Sequence, residues 1–290
     1  MISKKLVAVC LLSTALLVGC GSKPAENTNK DNGQTTQEKG FTGKKTYETL
    51  YDATGKKGDV TVVDVEFKDG KATKVSVDVR QEDGSMKKQA AKDGKYVMKA
   101  GEAKNWAEQM ELVEAYLNEN AVDVSKVKIT DKDGHTDAVS GVTIKVKTYL
   151  DTVQEVITAV NENKELPTGF TGAKSAETAY DPTGAKKDMV ITKVVYNHGK
   201  PVSVNFDVKQ EDGSMKKKAS ADGKYVMKEG EAKRWDEQMA LLEAFIAENN
   251  FDLSKVKLTN ADGNTDAVSG VSIKVGTYLT ALQELLDSVK

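Results

Sequence analysis

The chain has 290 residues, of which 39% are hydrophobic and 30% charged, with a formal net charge of −2. Charge of mixed sign with no clustered basic face excludes a nucleic-acid footprint, while the apolar fraction is enough for packed cores. Two cysteines, Cys10 and Cys20, and two isolated histidines, His135 and His198, supply no ligand set for zinc, copper, an iron–sulfur cluster or haem.

At the N-terminus, Lys4 and Lys5 precede an almost wholly apolar run, Leu6 to Val18. The run is shorter than the roughly 20 residues of a membrane-spanning helix and reads as a secretory signal, residues 1–19. It ends Leu17-Val18-Gly19-Cys20, which resembles the lipobox of bacterial lipoproteins. That resemblance implies cleavage before Cys20 and a diacylglycerol thioether on its sulfur, further acylated by a fatty acid such as palmitate. Acyl chains bury about 0.8 kcal/mol per methylene, so two or more would anchor the chain on the outer face of the cell membrane. An ordinary cleaved signal with an incidental cysteine is the alternative. With Cys10 removed and Cys20 lipidated, the mature chain has neither thiol nor disulfide, although an exported compartment permits disulfides. Residues 21–40 are polar with almost nothing apolar and read as a flexible tether.

From Phe41 onward the sequence repeats itself at an offset of 129 without a gap. QEDGSMKK stands at 81–88 and 210–217, DGKYVMK at 93–99 and 222–228, and TDAVSGV at 136–142 and 265–271. The unit is too long for a solenoid repeat and matches a domain of roughly 100–150 residues. Two domains are expected, 41–161 and 170–290, joined by a linker at 162–169 with Pro167 and Gly169 as breakers.

Within each copy, Val60 to Phe67 and Val75, Val77, Val79 alternate around Asp69-Gly70, predicting a β-hairpin. Val190 to Tyr196, His198-Gly199 and Val202 to Val208 repeat it. Trp106, Met110, Val113 and Leu117, matched by Trp235, Met239, Leu242 and Ile246, have helical spacing. A short strand is expected over Val127 to Thr130 and Val256 to Thr259. A last helix follows, with Leu150, Val153, Ile157 and Val160 as its stripe, matched by Leu279, Leu282, Leu286 and Val289. The result is an α+β fold, two tandem copies of a small domain with helices packed on a largely antiparallel sheet.

Before the last helix stand Asp137-Ala138-Val139-Ser140-Gly141-Val142-Thr143 and Asp266-Ala267-Val268-Ser269-Gly270-Val271-Ser272. A glycine bend, free amides and a helix N-terminus suit an anion such as phosphate. A hydroxyl residue there also suits a simple helix cap. DAVSGVT and DAVSGVS resemble the flavinylation motif of the FMN-binding domain family. The resemblance extends to the SMKK…DGKYVMK stretch and the Trp-x-Glu-Gln helix start, in both copies. It implies that a flavin transferase moves FMN from FAD onto Thr143 and Ser272 as a phosphoester, with Asp137, Ser140 and Gly141, and Asp266, Ser269 and Gly270, shaping the accepting loops. Where the family has alanine, this chain has Val142 and Val271, adding bulk beside the acceptor. Tyr96, Met98 and Trp106, with Tyr225, Met227 and Trp235, are candidates to cover the flavin ring or, on the helical stripe, ordinary core residues.

The tandem, lipid-anchored form is similar to the pheromone-encoding flavoproteins of Gram-positive extracellular electron transfer. That similarity implies an extracytoplasmic carrier that takes electrons from a membrane NADH dehydrogenase and quinone system and passes them to acceptors such as ferric iron. It also implies a peptide pheromone from Ser13 to Gly19 of the signal. No side-chain triad, paired catalytic carboxylates or metal cluster is visible in the sequence. The alternative is a lipoprotein that holds a small ligand non-covalently.

Overall fold

The computed structural model describes residues 40–289 apart from Ala100, Pro182, Glu229 and Glu231. The signal segment, Cys10, Cys20 and tether residues 21–39 lie outside the described residues. Each copy opens on a three-stranded antiparallel sheet: β1 (Gly43–Leu50), β2 (Val60–Lys68) and β3 (Lys71–Arg80), then β4 (Gly172–Ala179), β5 (Met189–Asn197) and β6 (Lys200–Lys209), in the order of the chain. Three helices follow each sheet: α1 (Lys87–Lys92), α2 (Trp106–Glu119) and α3 (Lys147–Asn161), then α4 (Lys216–Ala221), α5 (Trp235–Glu248) and α6 (Gly276–Asp287). The architecture is α+β, and no described helix is long and apolar enough to cross a membrane.

The hairpin forms as its alternation requires. Val63 pairs with Val77 and Val65 with Val75, and these four valines line one buried face. The turn puts Asp69 at φ 49° and Gly70 at φ 79°, the left-handed pair that matches strand twist. On that face α2 lays Trp106, Met110, Val113 and Leu117, the predicted stripe. The second copy builds a separate core from Val194, Val204, Phe206, Trp235, Met239, Leu242 and Ile246.

Two expectations are corrected. Val127 to Thr130 and Val256 to Thr259 are not strands: 3₁₀ turns at Val124–Lys126 and Leu253–Lys255 lead into single bridges, Ile129 to Thr136 and Leu258 to Thr265. The chain folds back at once, so one residue on each side pairs and the ladder goes no further. The stripe of the last helix is also rotated. The buried set in α3 is Tyr149, Leu150, Thr152, Val153, Val156 and Ala159, with Ile157 and Val160 only half-buried. In α6, Tyr278, Ala281, Leu282 and Leu285 are buried, and Leu279 and Leu286 flank them. A tyrosine at the head of each helix sets the rotation, because its ring takes a core position: Tyr149 stacks on Tyr51 at 5.6 Å and meets the edge of Trp106 at 6.0 Å. Finally, β1, β4 and the one-and-a-half-turn helices α1 and α4 had no periodic signature in the sequence.

The edge strand β3 is closed by helix α2. Val75 N donates to Asn118 Oδ1 at 2.8 Å, and Val77 N donates to Glu114, which also pairs with Lys88. In the second copy Glu243 takes Phe206 N and Lys217 in the same way, while Ala247 replaces the asparagine.

Both copies belong to one compact unit, Lys39–Lys290, and touch through the hairpin of the second. The His198 ring stacks on Tyr47 at 5.3 Å, and its Nε2 donates to the Glu48 carbonyl at 2.7 Å. Asn197 Oδ1 accepts from Leu50 N at 3.2 Å, Ser203 Oγ donates to the Gly55 carbonyl at 2.6 Å, and Lys193 pairs with Glu82 at 3.1 Å. Gly58 is required by close approach, since a Cβ there would stand 2.5 Å from that of Ala173.

Candidate functional site

The Ser-Gly-Val-Thr loop is fastened by one buried glutamine. Gln109, 1% exposed on the second turn of α2, takes Thr143 N at 2.7 Å and Ile144 N at 3.1 Å on its Oε1. The Thr143 hydroxyl lies 3.2 Å from the same oxygen and donates to Glu102 Oε2 at 2.6 Å. Gln109 Nε2 donates to the Lys104 carbonyl at 3.1 Å and points at Met98 Sδ at 3.8 Å. Gln238 repeats the clamp on Ser272 N at 2.7 Å, Ile273 N at 3.2 Å and Ser272 Oγ at 3.1 Å, with Nε2 on the Lys233 carbonyl and Met227. Both hydroxyl residues are exposed. The inserted bulk of Val142 and Val271 is absorbed inward, where both side chains are buried in their cores.

In the sequence the motif marks the hydroxyls, while Gln109 and Gln238 stand only as the last residue of the Trp-x-Glu-Gln helix start, with no role attached. The available signal was a polar residue one turn after Trp106 on an otherwise apolar stripe, which demands a partner when buried.

The remaining loop residues divide. Gly141 stands at φ +80°, and a Cβ there would press to 3.3 Å against the Lys104 side chain; Gly270 repeats this at φ +81° and 2.9 Å from Lys233. Ser140, Ser269, Asp137 and Asp266 are exposed and make no hydrogen bond or ion pair among the described residues, so the aspartates do not brace the loop. That work falls to buried Thr136 and Thr265, whose hydroxyls donate to the Lys128 and Lys257 carbonyls at 2.7 Å and accept from Ala138 N and Ala267 N at 3.1 Å. Upstream, Asp131 gathers the amides of Asp133, Gly134 and His135 together with the His135 ring. The His135 contacts, backbone first, hold its carboxyl down at about 2. Asn260 and Asn264 replace that pair in the second copy, and Asn264 Nδ2 donates to the Ser272 carbonyl at 3.0 Å.

The hydroxyl residues of the loop do not cap the helix that follows. The caps of α3 and α6 are Val146 and Val275, without side-chain hydrogen bonds, so Ser140, Thr143, Ser269 and Ser272 are not helix caps. Four amides of this stretch already have acceptors: Thr143 N and Ile144 N on Gln109, and Val146 N and Lys147 N on the Gly134 carbonyl.

Of the aromatic candidates, Trp106 and Trp235 are core residues, each 2% exposed. Tyr96 and Met98, like Tyr225 and Met227, are half-buried beside the clamp. A cavity of about 710 Å³ runs along Tyr51, Lys56, Lys57, Lys87, Tyr96 and Thr148. An aromatic cofactor linked through phosphate to a hydroxyl fits this donor set. The Thr143 and Ser272 hydroxyls are exposed, Lys104 and Lys233 lie against the loop glycines, and half-buried Tyr96 and Tyr225 offer apolar surface. Among the described residues no group of His, Cys, Asp or Glu is arranged to hold a metal ion.

No family model matches the chain, and no curated protein matches it. Among solved structures, a Clostridium thermocellum protein determined by NMR in solution as a structural-genomics target is 37% identical to it. The similarity covers 43% of this chain and 93% of that one, with a TM-score of 0.31.

Proposed function

We propose that the chain is a lipid-anchored, extracytoplasmic flavoprotein that carries FMN on Thr143 and Ser272. It takes electrons from a membrane NADH dehydrogenase and quinone system and delivers them to extracellular acceptors such as ferric iron. One observation carries the reading: in both copies an exposed hydroxyl at the end of the Asp-Ala-Val-Ser-Gly-Val motif is held in place by a buried glutamine through two amides.

The partner that loads the chain is a flavin transferase. The Thr143 and Ser272 hydroxyls would hold FMN as a phosphoester, taken from FAD with release of AMP and the hydroxyl proton. Glu102, which accepts a hydrogen bond from the Thr143 hydroxyl at 2.6 Å, would serve as the general base. Once a phosphoester replaces the hydroxyl, like charge drives Glu102 away from the site. When bound, the flavin supplies the redox chemistry, and a covalent link keeps an exported carrier from losing it. Cys20 and the tether would hold both copies at the membrane surface.

Co-expression with a flavin transferase followed by intact-mass measurement tests this. Two FMN adducts are expected, with one lost in Thr143→Ala and the other in Ser272→Ala. An unmodified mass on every chain rejects covalent flavin and leaves the ligand-binding reading.

A further inference from the structure

In each copy one lysine ammonium is enclosed by three aromatic rings. Lys87 Nζ lies 4.5 Å from the Tyr96 ring, 4.5 Å from Trp106 and 5.7 Å from Tyr51. Lys216 Nζ lies 4.4 Å from Tyr225, 4.8 Å from Trp235 and 5.8 Å from Tyr180. Lysines normally keep the ammonium in water, and cation–π attraction only partly replaces lost hydration. The next lysine in each copy is the one with a carboxylate: Lys88 on Glu114 and Lys217 on Glu243. Lys87 and Lys216 make no ion pair or hydrogen bond among the described residues. Each copy therefore holds a half-buried ammonium with no carboxylate among the described residues in salt-bridge contact; for Lys87 the charges of Asp59 and Asp78 act only from further off.

The cage and the acceptor loop share their supports. Trp106 of the cage and Gln109 of the clamp are one turn apart on α2, so their Cβ atoms are about 5–6 Å from each other. Met98, which meets Gln109, follows Tyr96 by two residues. The cavity beside Lys87 also reaches Thr148, five residues beyond Thr143. Burial pulls the Lys87 ammonium down to about 8, as expected of a cation short of compensation.

We propose that Lys87 and Lys216 set the charge of the two flavin sites, each stabilising the negative charge that the group tethered at Thr143 or Ser272 acquires on reduction. This rests on the covalent-flavin reading. A cation in a low-dielectric site acts strongly on charge developing nearby, and an ammonium already neutralised by a carboxylate would act weakly.

The test uses the full chain loaded by its transferase, in a Ser272→Ala background so that only the Thr143 flavin is read. Intact mass first establishes the adduct. Lys87→Met is then expected to make reduction at least tenfold less favourable, a negative shift of about 30 mV for a two-electron couple, and Lys87→Arg to restore it. Lys92→Met, which removes an exposed ammonium paired with Glu111, should leave the potential in place. Lys216→Met in a Thr143→Ala background reads the second site independently, should Lys87→Met fail to fold. With adducts present, unmoved potentials in both lysine variants overturn the inference alone. No adduct on the wild-type chain overturns the inference together with the reading beneath it.

Discussion

Gln109 concentrates the fastening of the Ser-Gly-Val-Thr loop in a single side chain. Its Oε1 serves two amides and a hydroxyl, and its Nε2 serves a carbonyl, all from a position 1% exposed. Truncation to alanine leaves the Thr143 and Ile144 amides without an acceptor, at about 1–3 kcal/mol for each buried group. Gln109→Ala should therefore lower stability by roughly 2–6 kcal/mol in a urea titration, on the same scale of penalties. It should also speed hydrogen exchange at those two amides ahead of the rest of the copy. Wild-type protection at Thr143 and Ile144 would show that something else fastens the loop. The hydroxyls were legible in the sequence because a motif marks them. The clamp was not, because Gln109 joins residues 34 apart in the chain and nothing local states what a buried amide must bind.

At the scale of elements, Glu114 joins three parts of the fold: α2 carries it, the β3 amide of Val77 donates to it, and Lys88 of α1 pairs with it. The pair is well shielded, with side chains 16% and 12% exposed. Glu114→Ala leaves a part-buried ammonium and an edge-strand amide without partners, and removing one member of such a pair costs about 3–5 kcal/mol. Glu114→Gln keeps an acceptor and should lose clearly less in denaturant unfolding; equal losses would mean that the charge, not the strand contact, carries the effect. The hairpin and α2 were readable from the sequence because their apolar periods are strong. β1 was not: in GKKTYETL only Tyr47 and Leu50 are buried, so alternation never appears. Val127 to Thr130 had the look of a strand without a neighbour to pair with. The last helix kept its period and lost its phase, since the core chose Tyr149 and Tyr278, residues an aliphatic stripe passes over.

For the whole molecule, the contact between copies coincides with one set of positions at which the repeats have diverged. Lys193, Asn197, His198 and Ser203 of the second hairpin face the first copy. The equivalent positions in the first hairpin are Asp64, Lys68, Asp69 and Lys74, two of which form surface ion pairs with Lys44 and Glu66. Tyr47, on which His198 stacks, is Ala176 in the other copy. The two copies share a fold but not this surface, so each position has one chemistry for water and another for the contact. Restoring the first copy's residues in the second, Asn197→Lys, His198→Asp and Ser203→Lys together, would set charges against the Leu50 amide, the Tyr47 ring and the Gly55 carbonyl. Unpaired charges cannot be held there without loss of hydration, whereas each copy's own core contains none of the three residues. The triple variant should therefore stay folded by circular dichroism while its radius of gyration in solution scattering rises as the copies separate. A scattering curve superimposable on that of the parent chain would mean that the copies are held together by the linker and the remaining contacts, and that the divergence of the hairpins serves something other than this interface.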